Sequence, residues 1–189
     1  MNLPNQLTLF RLVLTLPFVA ALSINFPGSK MIALSLFLLG SITDYADGYI
    51  ARRYQLITNF GKLMDPLVDK IMIAAAFICL VGLKSVPAWV VIVIVSREFL
   101  VTGLRLLAAS RGQLLPAERL GKHKTVWQIA TILYLLVTVT LRGLISEKQS
   151  PLFLGLDVGG IVLTYITVAL TLVSGLGYFA RNWNLVRDF

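Results

Sequence analysis

The chain has 189 residues, of which 57% are hydrophobic and 14% charged, with a mean hydropathy of +0.82. A soluble domain carries about a quarter charged residues, so an ordinary cytosolic enzyme, a disordered chain and a disulfide-stapled secreted module are all excluded. The 17 Lys and Arg against 9 Asp and Glu leave a formal charge of +8. So basic and so apolar a chain points to a polytopic membrane protein with its cations at one anionic face, not to a nucleic-acid binder.

The predicted elements follow in chain order. Over residues 1–10, Leu3, Leu7, Phe10 and Leu14 take helical spacing on one stripe, while Asn5, Thr8 and Arg11 form a second. That pattern predicts an amphipathic segment at the membrane interface. No basic residue precedes Arg11 and the apolar run continues past it, which makes a poor signal peptide. At roughly 20 residues per span, the apolar runs place spans near 11–27, 31–53, 61–83, 86–109, 124–145 and 155–180. Pro27-Gly28, 84–87 and 146–151 read as turns between them. The expected fold is an all-α integral membrane protein, a single domain of six transmembrane helices preceded by the short interfacial helix. The single cysteine, Cys79, cannot form an internal disulfide and reads as a packing group.

Six spans put both termini on one side. With that arrangement, thirteen Lys and Arg fall on the side of the termini and of the second and fourth connections. Four fall opposite: Lys30, Lys84, Arg142 and Lys148. Cytoplasmic loops collect positive charge, so the termini are expected in the cytoplasm.

Ionisable groups within the spans are the informative ones, because each costs several kcal/mol at membrane depth unless paired, hydrated or metal-bound. They cluster in span 2 (Asp44, Asp47, Arg52), span 3 (Asp65, Asp69, Lys70) and span 4 (Arg97, Glu98, Arg105). Asp44, Asp47, Gly48, Ala51 and Arg52 share one helical face, as do Gly61, Asp65 and Asp69. Two antiparallel spans joined by a short turn bring these faces together, so that four carboxylates share one site. Crowded carboxylates raise one another's pKa, and a hard divalent cation removes the conflict. With no His or Cys in the set, Mg²⁺ or Mn²⁺ suits it better than zinc. Two ions would balance four carboxylates and leave room for a diphosphate. Small residues at 48, 51 and 61 allow close approach to the backbone, and Arg52 can clamp a phosphate or a base. The plainer alternative is a belt in which the acids pair with Arg52, Arg53, Lys62 and Lys70.

This stretch resembles the signature of the CDP-alcohol phosphotransferase family, Asp-x2-Asp-Gly-x2-Ala-Arg-x8-Gly-x3-Asp-x3-Asp. All its fixed positions are met, by Asp44, Asp47, Gly48, Ala51, Arg52, Gly61, Asp65 and Asp69. The resemblance implies that Asp44, Asp47 and Asp65 ligate two metal ions, while Asp69 joins one ion and acts as general base. Gly48, Ala51, Arg52 and Gly61 would line a CDP pocket. It further implies attack of an alcohol on a CDP-linked lipid with release of CMP, at the cytoplasmic face of a bacterial-type membrane, in a homodimer.

The acceptor is not named by that signature. Pro4 to Arg11, Arg97 to Arg105 and Gly121 to Thr125 are similar to the bacterial phosphatidylglycerophosphate synthase branch, which implies CDP-diacylglycerol as donor and sn-glycerol 3-phosphate as acceptor. A phosphorylated acceptor needs cations beside the metal site, and Arg105, Lys122 and Lys124 supply them, with Arg97 on the same arc of span 4. Glu98 is placed to hold one of these arginines. Helix-start N–H groups near Lys122 and Lys124 also favour an anion. His123 reads as a loop residue without a role, and Asp157 as a helix-start charge. Two alternatives stay open: the same chemistry with inositol phosphate, serine or phosphatidylglycerol as acceptor, and a divalent-cation transporter built on the same aspartates.

Overall fold

A computed structural model describes residues 3–24, 26–53, 59–110, 119–145 and 151–183. Within these, the side chains of 3–4, 45–53, 59–63, 65, 66, 69, 110 and 119–122 lie outside the description. The six apolar runs form six helices: α1 (Leu3–Ser23), α2 (Ser29–Arg53), α3 (Asn59–Gly82), α4 (Ala88–Ser110), α5 (Arg119–Leu144) and α6 (Pro151–Arg181). No strand occurs among the described residues. Five of the helices begin and end within about five residues of an expected span, and α1 begins about eight residues before its own. The interfacial piece expected over 1–10 and the first span are continuous in α1, which runs from Leu3 to Ser23 without a break.

Local chemistry sets the ends. Gly28 adopts a φ of +83° between α1 and α2, where the amide of Ser29 bonds to the carbonyl of Phe26 at 3.0 Å. At the end of α3, Lys84 is left-handed with a φ of 58°. The amide of Ser85 reaches the Leu80 carbonyl at 2.9 Å and that of Lys84 reaches Val81 at 2.9 Å, the paired bonds of a Schellman cap. Pro151 opens α6, where a missing N–H costs nothing.

Packing runs α1 on α2 and α3, α2 on α5, α3 on α4 and α5, and α6 on α4 and α5. Phe18, Phe37, Phe77, Leu80, Ile94, Ile132 and Leu136 fill the core, with the rings of Phe18 and Phe37 5.8 Å apart. The distribution of polarity is inverted relative to a soluble bundle. Asn5, Thr8, Arg11, Lys124, Gln128, Thr131, Thr167, Thr171 and Ser174 are buried, while Val13, Leu16, Ile92, Leu154 and Leu176 are each at least 60% exposed. So apolar an exterior, with polar and charged groups packed inside beside the apolar core, suits a hydrocarbon solvent. The chain is therefore an all-α membrane protein.

Among the described residues, three helices are long and apolar enough to cross a membrane, over Asn5–Ser23, His123–Leu144 and Pro151–Arg181. The charged residues at 44, 47, 52 and 53, at 62, 65, 69 and 70, and at 97, 98 and 105 make α2, α3 and α4 more polar.

Helices α5 and α6 are joined by side-chain polarity. Thr131 and Thr167 share a hydrogen bond of 2.8 Å, and Tyr134 donates to the Leu156 carbonyl at 3.1 Å. Gly159 and Gly160 permit this approach. A Cβ at 159 would stand 2.3 Å from the Tyr134 hydroxyl, and one at 160 would stand 2.9 Å from Leu135. Asp157 is not a helix-start charge: it follows the first turn of α6 and pairs with Arg142 of α5. Helix α6 starts at Pro151, about a turn before the span expected from 155, so Asp157 lies beyond its first turn.

Candidate functional site

The site forms where α2 ends, α3 and α5 begin, and the later halves of α4 and α6 pass. Gly40 of α2 fits against Met72 of α3, so closely that a Cβ there would meet the methionine Sδ at 2.6 Å. One turn beyond Gly40 on the same face stands position 44, and 69 precedes Met72 by three. Positions 44 and 47 share an arc of α2 with Gly40, and positions 65 and 69 share an arc of α3 with Met72. The backbone of α2 and α3 carries Asp47, Gly48, Ala51, Arg52, Gly61, Asp65 and Asp69, whose side chains lie outside the described residues.

Asp44 is described, and its partner was not expected. The guanidinium of Arg11, 2% exposed, pairs with the Asp44 carboxylate, which is 42% exposed. Asn5, Thr8, Arg11 and Thr15 are all buried, so the polar stripe of α1 faces inward. In lipid a polar stripe turns towards the protein, the reverse of its preference in water. A small cavity of about 50 Å³ opens beside this pair, lined by Arg11, Ser41, Asp44, Met72 and Thr125 among others.

The cations expected to hold a phosphorylated acceptor divide into two groups. Arg97 and Lys124 meet at Glu98. The Lys124 ammonium pairs with its carboxylate, and Arg97 Nη1 lies 3.4 Å from the same oxygen. These side chains are 5%, 11% and 16% exposed for Lys124, Arg97 and Glu98. Two cations thus share one carboxylate in a nearly closed space. Arg97 also donates to Ser174 of α6 at 3.0 Å. Arg105 is exposed, on the outer face of α4, whose Leu104 and Ala108 face inward and are buried. Lys122 has its backbone in α5 and its side chain outside the described residues. His123 is exposed in the first turns of α5, not in a loop.

Lys70 was left to the charge belt by its sequence, yet it reaches this cluster. Its ammonium donates to the Thr102 hydroxyl, whose own hydrogen goes to the Glu98 carbonyl at 2.7 Å. Lys70, Arg97 and Lys124 lie within electrostatic reach of one another. The adjacency of Lys70 to Asp69 was the available signal. The start of α5 joins the two halves, since Thr125 lines the cavity beside Asp44 while the preceding Lys124 meets Glu98.

A largely buried cluster of cations thus stands near the helix pair that carries the aspartates, in an all-α membrane protein. The chain belongs to the CDP-alcohol phosphatidyltransferase family, whose model matches residues 1–173. It is 41% identical to the CDP-diacylglycerol–glycerol-3-phosphate 3-phosphatidyltransferase of Bacillus subtilis (strain 168), over 98% of this chain and 97% of that one. The protein of the same name from Rickettsia bellii (strain RML369-C) is 36% identical over 94% and 93% of the two chains. A probable phosphatidylglycerophosphate synthase of Mycobacterium tuberculosis is 37% identical over 95% and 81%.

Proposed function

We propose that the chain transfers the phosphatidyl group of CDP-diacylglycerol to sn-glycerol 3-phosphate, giving phosphatidylglycerol phosphate and CMP. The carrying observation is the start of α5, where Thr125 borders the Asp44 cavity and Lys124 binds into the Glu98–Arg97 cluster. Donor chemistry and a pocket for an anionic acceptor are thereby one helical step apart. The names of the Bacillus and Rickettsia relatives support the same donor and acceptor.

In this reading Asp69 takes the proton of the attacking acceptor hydroxyl. Its oxygen bonds to the phosphorus that carries diacylglycerol, and the bond from that phosphorus to CMP breaks. Gly48, Ala51, Arg52 and Gly61 line the CDP pocket. Arg97 and Lys124 hold the acceptor phosphate, with Lys70 adding charge and Arg105 and Lys122 towards the mouth. A donor set of Asp44, Asp47, Asp65 and Asp69 fits two divalent ions, Mg²⁺ or Mn²⁺, since all are hard oxygen ligands. Asp44 already draws a buried guanidinium to itself, which fits a place that favours positive charge. Bound ions would stabilise charge on the pyrophosphate oxygens and on departing CMP. The remaining residues bind, orient and exclude water.

Six spans, with both termini and the site at the cytoplasmic face of the membrane, agree with the thirteen-to-four division of cations. A homodimer belongs to the same reading. The test supplies purified protein and labelled CDP-diacylglycerol with each acceptor in turn. Labelled phosphatidylglycerol phosphate from glycerol 3-phosphate alone is expected. Faster transfer to inositol phosphate, serine or phosphatidylglycerol would replace the acceptor assigned here. Metal uptake by proteoliposomes without CDP-lipid, and no transfer, would replace the enzyme with a transporter.

A further inference from the structure

Arg97 sits on α4, but two residues of α6 determine where its side chain can lie. Ser174 is 2% exposed. Its hydroxyl is 3.2 Å from the Thr171 carbonyl, to which it donates, and it receives Arg97 Nη2 at 3.0 Å. A serine hydroxyl has one hydrogen, so the bond to Thr171 turns its lone pairs towards the guanidinium. The next residue, Gly175, is also buried. A Cβ there would stand 2.8 Å from Arg97 Cγ, 3.4 Å from Nε and 3.7 Å from Cδ. The contact at Cγ falls on the stem and not on the flexible tip, so any larger residue would displace the whole side chain. Glu98 holds Nη1 from the other side at 3.4 Å. The guanidinium is therefore fixed by a hydroxyl, a carboxylate and the bare backbone of α6.

We propose that Ser174 and Gly175 are positioning residues for the acceptor phosphate: they hold Arg97 beside Lys124 and so set the affinity for the phosphorylated alcohol without touching it. This rests on the reading of Arg97 and Lys124 as acceptor ligands given above. Both residues lie beyond the segment matched by the family model, which ends at 173. Their role comes only from the contact with α4.

The test measures steady-state kinetics of the full chain in detergent with CDP-diacylglycerol and glycerol 3-phosphate, for wild type, Ser174→Ala, Ser174→Thr, Gly175→Ala and Arg97→Ala. A lost hydrogen bond to a charged group, or a displaced guanidinium, raises KM for glycerol 3-phosphate by about fivefold or more in Ser174→Ala and Gly175→Ala. KM for CDP-diacylglycerol and kcat stay within about twofold of wild type, and Ser174→Thr, which keeps the hydroxyl, recovers most of the loss. Ser174→Ala removes one oxygen without adding bulk, so it supplies a folded variant should Gly175→Ala misfold. If Arg97→Ala raises the acceptor KM while both α6 variants leave it unchanged, the positioning role is wrong and the pocket stands. If Arg97→Ala also leaves it unchanged, the pocket itself is wrong. Equal rises in both KM values, or a loss traced to lowered melting temperature, make the α6 pair merely structural and overturn the proposal.

Discussion

Replacing Glu98 and Lys124 singly and together separates a structural ion pair from an acceptor pocket. Their side chains are 16% and 5% exposed, so solvent screens them little. Removing one member of a buried pair typically costs about 3–5 kcal/mol, because it leaves an uncompensated charge, whereas removing both is often close to neutral. Glu98→Gln removes the carboxylate that Lys124 and Arg97 share, and should lower stability by about 3 kcal/mol, or about 6–12 °C in melting temperature for a chain of this size. Lys124→Gln should cost less, since Arg97 remains 3.4 Å from the carboxylate. The double variant Glu98→Gln/Lys124→Gln should recover at least about 1.5 kcal/mol relative to Glu98→Gln, a coupling readable in a double-mutant cycle. Melting followed by tryptophan emission gives these values in detergent. Activity then decides between the readings. A charge-assisted hydrogen bond to phosphate is worth about 1.5–3 kcal/mol, so both variants lacking Lys124 should show KM for glycerol 3-phosphate raised about tenfold or more. Recovery of stability without recovery of KM is the expected signature. A double variant with an acceptor KM within about twofold of wild type would refute the reasoning and leave the cluster as an internal ion pair.

Asp69→Asn should abolish turnover with little change in melting temperature, and near-normal activity would remove Asp69 as the base. Chelation of divalent ions by EDTA should stop transfer, with Mg²⁺ or Mn²⁺ restoring it; activity that survives exhaustive chelation would contradict four-carboxylate ligation. Lys84→Gly should raise stability by about 0.5–1 kcal/mol, because glycine adopts the left-handed cap of α3 without Cβ strain, and a calorimetric scan reads the shift. Gly159→Ala should destabilise by about 1–3 kcal/mol, because its Cβ overlaps the Tyr134 hydroxyl. Tyr134→Phe in the same chain should return part of that loss, and strictly additive effects would show that the two residues do not collide.

Much of the architecture was legible because membrane helices are long, apolar and separated by few residues. The spans near 86–109 and 124–145 differ from α4 and α5 by at most five residues at any end. Helical spacing alone places 44 with 47 and 65 with 69, and of these four carboxylates that of Asp44 lies within the described residues. The direction of the α1 stripe was not legible. Asn5, Thr8 and Arg11 read as polar groups facing water, and only the packing of α1 on α2 and α3 turned them inward. Asp157 was misread because α6 begins at Pro151 and already includes the apolar residues 152–156, so Asp157 follows its first turn. Lys70 and Ser174 were hidden for a different reason. Their partners, Thr102 and Arg97, lie 32 and 77 residues away in the chain, and no local pattern encodes such a pairing.

The first turns of α5 have a mechanical consequence. Lys124 and Thr125 are consecutive, and consecutive residues of an α-helix point about 100° apart. One faces Glu98 and the other faces the cavity beside Asp44. Rotation of α5 about its own axis would therefore withdraw both side chains from their neighbourhoods together. The azimuth of a single helix thus sets both neighbourhoods at once, and under the proposed function neither half of the site can be retuned through α5 without disturbing the other.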